Sequence, residues 1–212
     1  MQNQLSTTLS PTALRESLLA RPDRDALEDE HRAWVRALKG DNIAELIGLG
    51  ISWFAVMIYQ MVGIAGIQLR PGGRWEPDPE GPPSYVTPVR VEQFDSLLAA
   101  EPWETARSGE LVDLVAWHPE TPLRWATRHG HTWLGAVALD PFPAIIRASP
   151  LAWLQADCDG FLPLTHDPVE LRYLLGLCEA GTVVEELWVA DELRRHMLQP
   201  VANIPQITVR GG

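Results

Sequence analysis

Between Glu45 and Arg70 the chain runs for 24 residues, Leu46 to Leu69, without a charged side chain. An apolar helix of about 20 residues crosses a bilayer, so this run decides between a membrane span and a buried part of a globular core. Its composition favours the core. Gly48, Gly50, Gly63 and Gly66 interrupt it, Gln60 and Gln68 lie in it or at its edge, and β-branched and aromatic residues such as Ile51, Trp53, Phe54, Val56 and Ile58 dominate the rest. Such residues suit a pleated, half-buried surface. Pro71-Gly72-Gly73 then reads as a turn and Arg74-Trp75-Glu76 as a return strand. The pattern predicts two buried strands and a hairpin. A membrane tether through residues 46–69 is the competing reading.

The chain before this run is helical in pattern. Residues 1–9 read as an unstructured arm, and Ser10-Pro11 opens a short helix. A second helix from about Arg24 to Leu38 places Leu27, His31, Trp34 and Leu38 on one stripe. Asp41 can cap a third through Ile47. Residues 1–48 therefore form a helical cap on a mixed domain of residues 49–212.

Beyond the run, residues 76–84 (EPDPEGPPS) read as a proline-rich loop with nothing to pack. Tyr85 to Arg90 reads as a strand interrupted at Pro88, Val91 to Ala100 as a helix, and Leu111 to Trp117 as a buried strand ended by His118-Pro119. Residues 123–139 suggest a hairpin with His129-Gly130 as its two-residue turn. That register sets Trp125 against Leu134 and Thr127 against Thr132. It gathers Arg124, Arg128, His131 and Trp133 on the opposite face, a cationic and aromatic platform suited to a phosphate or an unpaired base.

The C-terminal portion carries the clearest punctuation. Ser149 can cap a helix with Pro150 in its first turn and Gly160 past its end. Asp167 can cap another, with Pro168 and Glu170 following and Gly181 closing it. The short apolar runs Phe161–Leu164 and Thr182–Val184 frame that helix as β-α-β. A last helix runs to Leu198, and Gln206 to Val209 could add an edge strand. The fold class expected is α/β with α+β character in the N-terminal half: a helical cap, antiparallel strands, then a parallel β-α-β-α portion.

Net charge of −11 argues against nucleic-acid binding by the surface as a whole, because such binding comes from cations that displace phosphate counterions. It leaves a local patch as the only route to nucleic acid. Lys39 is the single lysine among 17 basic residues. Cys158 and Cys178 fall among apolar neighbours inside expected helices, with no zinc spacing and no disulfide framework, which fits a reducing cytoplasm. Strand ends could bring together His118, His166, Asp167, Glu185 and Glu186, the residue types of a metal-dependent hydrolase. Asp167 is already explained by its helix, however, and adjacent Glu185 and Glu186 on a strand would face opposite ways. No metal site and no cofactor are expected, and nucleotide-loop and nucleophile-elbow patterns are absent from the sequence.

Three stretches, Leu111–Val137, Ser149–Leu164 and Gly181–Leu198, resemble an uncharacterised family of alphaproteobacterial phage and prophage proteins. The shared pattern is DLVAWHP, RWA, WLG, SPLAWL and VVEE, with an echo in WFAVM and GRWEPDPEG. The resemblance covers roughly the C-terminal half and implies a setting among phage replication genes. It brings no activity and no catalytic residues with it. The reading that follows is a non-enzymatic accessory protein of a phage or prophage in the bacterial host cytoplasm, acting through contacts with a protein partner. A metal-dependent enzyme acting on nucleic acid or phosphate esters is the alternative.

Overall fold

The computed structural model describes residues 24–91, 109–135, 144–165, 167–176 and 182–184, together with Asp191 and Arg195. The arm, residues 92–100 of the helix expected at Val91–Ala100, His166, Glu185, Glu186, Cys178 and the edge strand expected at 206–209 lie outside the described residues, while Val91 itself ends a strand.

Helix α1 (Arg24–Arg36) follows the apolar stripe, with Leu27 and His31 buried and Trp34 half-buried. Helix α2 (Gly40–Gly48) buries Leu46. The first strand expected of the uncharged run does not form. Its place is taken by a wide π-helical turn at Phe54–Ile58, followed by Gln60 at φ 53°. The exposure pattern gives the reason: Trp53 and Phe54 face out, Ala55 and Val56 in, Met57 and Ile58 out. Burial alternates in pairs, which a strand with a period of two cannot provide. The second half of the run does form its hairpin. Strand β1 (Gly63–Arg70) turns through Gly72 and Gly73, at φ +77° and +69°, into β2 (Arg74–Pro77), with Arg70 opposite Arg74. Among the described residues no helix is long and apolar enough to cross a membrane.

The proline-rich loop packs closely, contrary to expectation. A side chain at Gly66 would strike the Asp78 carbonyl, and one at Gly81 the Ile67 carbonyl. With no Cβ at either site, Asp78 N–H reaches Gly66 O at 2.9 Å and Ile67 N–H reaches Pro82 O at 3.2 Å. Strand β3 (Pro83–Val91) also runs unbroken through Pro88, which pairs with Leu114 of β4 (Glu110–Trp117). Leu114 turns its carbonyl away from β3 to accept from Arg128 N–H at 3.0 Å. The Pro88 nitrogen therefore faces the other side, where pairing with β1 has already ended at Val86. Its missing N–H leaves no ladder bond unmade.

With β5 (Trp125–Thr127) these strands close a barrel in the order β1-β2-β5-β4-β3, sealed by one parallel pair, Arg74 opposite Thr127. The remaining strands form a second, mixed sheet ordered β6-β8-β7-β9: β6 (Trp133–Gly135), β7 (Ala144–Ile146), β8 (Phe161–Pro163) and β9 (Thr182–Val184). Both β8 and β9 run parallel to β7, which separates them, so the expected β-α-β unit is present with a strand inserted between its members. Helix α3 (Pro150–Gln155) starts as its sequence indicates, Ser149 Oγ accepting from Ala152 N–H at 3.1 Å. Asp167 likewise caps α4 (Pro168–Gly176), accepting from Val169 N–H at 2.7 Å. Cys158 lies past the end of α3 at φ 65° and not within it. The chain is thus of mixed α/β composition, with a closed barrel that the sequence pattern does not announce.

Alternation along the barrel strands sorts the core into two parts. Ala65, Ile67, Val86, Leu114, Ala116 and Ala126 join Trp75 and Leu27 of α1. Tyr85, Val89, Val115 and Trp117 join Leu134, Trp153, Leu154 and Leu162 from the second sheet and α3, with Ile51, Val56 and Met61 filling in. The π-helical segment therefore cements the two sheets. Helix α1 is held to β3 by a forked ion pair, Arg90 on Glu28 at 2.6 and 3.0 Å, which lowers the Glu28 pKa.

His31 is buried beside this pair, its Nε2 without a partner, and burial first and Arg90 second lower its pKa to about 4. The unfolded chain takes up a proton near pH 6.5, whereas the folded chain resists until about 4. Stability is therefore complete above pH 6.5 and is lost as pH falls toward 4, by up to about 3 kcal/mol from this residue. Urea unfolding of His31→Phe should show a flatter decline between pH 7 and pH 4.5 than the wild type, and an equal slope in both would contradict the assignment.

Candidate functional site

The polar feature at the centre of the molecule is Asp113, a fully buried carboxylate in the middle of β4. The β3–β4 ladder skips Val112: Val89 pairs with Asp113 and Arg90 with Leu111. A bulge of this kind re-aims the neighbouring side chain. Asp113 Oδ1 accepts from the backbone N–H groups of Leu114 at 2.7 Å, Arg128 at 3.0 Å and His129 at 2.8 Å, and Oδ2 accepts from His131 N–H at 2.6 Å. Four backbone dipoles replace the water this carboxylate would otherwise need. In return the carboxylate fixes the loop that leaves β5, and that loop carries the chain from the barrel into the second sheet.

This arrangement overturns the expected hairpin. Trp125 does not face Leu134, nor Thr127 Thr132. Strand β5 pairs with β4 and β2, and β6 pairs with β8, where Leu134 lies opposite Leu162. The His129-Gly130 step is a crossing between sheets, pinned at the far end by Leu164 N–H on Thr132 O at 2.7 Å.

Of the four platform residues, His131 and Trp133 stay together while Arg124 and Arg128 go elsewhere. Arg124 is exposed in the turn before β5, where its N–H reaches Thr121 O at 2.9 Å. Arg128 lies over the rings of Trp34 and Trp75, 5.8 and 5.4 Å from their centroids, and Nη2 bonds Glu30 at 2.9 Å. It clamps α1 onto the barrel, and its Nη1 is buried without a partner. Trp133 packs with Ile146, Ala148 and Phe161 of the second sheet. The His131 ring centroid is 4.3 Å from that of Trp133, and its Nε2 is buried without a partner. Burial holds the His131 pKa below the ordinary imidazole value against the opposing pull of Asp113, so the ring is neutral at pH 7.

Of the four, His131 lines a pocket of about 400 Å³ between the barrel and the second sheet. The β1–β2 turn contributes Gly72, Gly73 and Arg74, β5 contributes Trp125 and Thr127, and Gly130 and Thr132 come from the loop. Leu164, Thr165 and Glu170 complete it, Thr165 Oγ1 donating to Glu170 Oε2 at 2.5 Å. The sequence pattern passed over two members of this region. Asp113 is marked by standing alone as a charge inside Leu111–Trp117, and Arg74 by following two turn glycines.

The residues considered for a metal give no cluster among those described. Asp167 is occupied at its helix, His118 accepts from Glu120 N–H at 3.2 Å through Nδ1, and no three His, Cys, Asp or Glu side chains gather around a point. Cys158 is buried beside a smaller cleft of about 180 Å³ near Ser52 and Tyr59, and burial pushes its thiol pKa well up, which makes it a poor nucleophile. No protein-family model matches the chain, and neither a curated protein nor a solved structure does.

Replacing Asp113 by Asn turns an acceptor toward four donors into a group with its own N–H bonds directed at some of them. We expect Asp113→Asn to lose roughly 2–4 kcal/mol of unfolding free energy in urea. A loss near zero would show that the loop holds itself.

Proposed function

We propose that the chain is a non-enzymatic accessory protein of a phage or prophage, working in the bacterial cytoplasm by binding another protein. One observation carries its protein-binding part. Ile47, Trp53, Phe54, Met57 and Ile58 are 38, 51, 58, 41 and 47% exposed, all within one short segment. Trp53 meets Phe54 edge-on at 5.7 Å, and Phe54 stacks on Tyr59 at 6.4 Å. Scattered exposed apolar residues need no explanation, but a contiguous aromatic and aliphatic ridge favours a binding role.

The shape of the segment supports the same reading. A π-helical turn is a costly geometry that recurs at functional positions. Its inward pair, Ala55 and Val56, is locked into the main core, so the outward pairs are presented on a rigid base. Preorganised display of this kind lowers the entropic cost of binding.

A lipid surface fits the ridge less well. Interfacial membrane segments surround their apolar face with Lys and Arg. Here Asp41 and Glu45 lie on the adjoining helix α2 and the chain carries net charge −11, which anionic headgroups repel.

A photo-crosslinking residue placed at Trp53 should give a discrete protein adduct in cells carrying the parent phage, while the same residue at exposed Leu123 gives none. Met57→Glu should abolish that adduct and change stability by less than about 0.5 kcal/mol, as surface substitutions do. Equal labelling at both positions, or an adduct indifferent to Met57→Glu, would remove the ridge from consideration.

A further inference from the structure

Arg74 stands apart from its neighbours. Arg70, Arg90, Arg128 and Arg147 each hold a carboxylate, on Glu76, Glu28, Glu30 and Asp159. Among the described residues Arg74 has neither an ion pair nor a hydrogen bond from its guanidinium, although it lines the pocket between the two sheets. Its guanidinium lies against Gly130. Gly130 has φ +86°, and any side chain there would run into the Arg74 guanidinium. A glycine at this crossing lets the planar group lie flat against a loop already fixed by Asp113.

The other groups lining the cavity narrow what could answer Arg74. Thr127, Thr132 and Thr165 bring hydroxyls, Trp125 a half-buried ring, and Glu170 a carboxylate that accepts from Thr165. His131 is neutral at pH 7, so Arg74 supplies the positive charge. A guanidinium fork saturates both oxygens of a carboxylate, whereas a phosphate monoester keeps a third terminal oxygen for a threonine hydroxyl. Glu170 would repel a second anion but accepts readily from sugar hydroxyls, and an indole ring suits the C–H face of a sugar or the plane of a base. A volume of about 400 Å³ lies in the range of small-ligand sites.

We propose that this pocket binds a small sugar phosphate, with the phosphate on the Arg74 fork and the sugar hydroxyls toward Thr165 and Glu170. The site is separate from the Trp53 ridge and does not depend on it.

Isothermal titration of the full chain with ribose 5-phosphate, AMP, adenosine and inorganic phosphate tests this. We expect ribose 5-phosphate or AMP to bind with one site per chain, and adenosine not to bind. Arg74→Gln should weaken that binding at least about 30-fold, and Arg74→Lys by about 10-fold, because a point charge cannot grip two oxygens. Thr165→Val should cost about 5-fold, for one neutral hydrogen bond. Tighter binding of AMP would place its base on Trp125, and equal affinities would leave the base outside; both support the proposal. Because the ladder pairs of Arg74 with Arg70 and Thr127 are made by its backbone, Arg74→Gln and Arg74→Lys should shift the thermal midpoint by no more than a surface substitution does. The proposal fails if neither ester binds at about 10 mM, far above ordinary ligand affinities. It also fails if inorganic phosphate binds as tightly as both esters, or if affinity survives Arg74→Gln.

Discussion

One buried carboxylate sets the geometry of this molecule. Asp113 lies in the core of a strand, where an ion without water is costly, and four backbone N–H groups make it tolerable. Three of those donors belong to the loop from Arg128 to His131. The same four bonds that solvate the charge therefore specify where the chain leaves the barrel and at what angle β6 begins. Within β4 the Leu114 carbonyl also holds Arg128 N–H at 3.0 Å, but the bonds to His129 and His131 N–H come from Asp113. Specification of one geometry, and not stability alone, is the physical role of such a group.

Other features build outward from that loop. Arg128, held at its backbone by Asp113, extends its side chain across Trp34 and Trp75 to Glu30 and so docks α1. Gly130 leaves space for Arg74, and Thr132 receives Leu164 N–H from the second sheet. Barrel, helix, pocket and sheet meet within five residues. The π-helical segment belongs to the other part of the core, burying Ala55 and Val56 while displaying Trp53 and Phe54. The two binding surfaces we propose thus rest on two different irregularities, one held by a charge and the other by apolar packing.

What the sequence revealed follows from the range of the forces involved. Capping is local, so Ser149 and Asp167 announced their helices, and Pro71-Gly72-Gly73 announced its turn. The crossing at His129-Gly130 imitates a hairpin turn because the local chemistry is identical. What distinguishes it is Asp113, which lies 15 to 18 positions earlier and acts through backbone N–H groups that carry no side-chain signature. The π-helical turn was hidden for a related reason: β-branched residues suit a strand, and their burial in pairs shows only once a core exists to receive them. Gly81 likewise looked like a loop residue, and Gly66 like an ordinary strand glycine, until the strap they permit was visible.

Amide hydrogen exchange reports on the central claim most directly, because it reads the loop bonds one at a time. If Asp113 fixes the crossing, the amides of His129 and His131, which donate to its carboxylate from outside any strand, should exchange as slowly as Leu114 in the middle of β4, opening only with the barrel. Exchange at His131 as rapid as at Gly72 and Gly73 in the open β1–β2 turn would contradict it, and the carboxylate would then be a passenger in a loop held by other means.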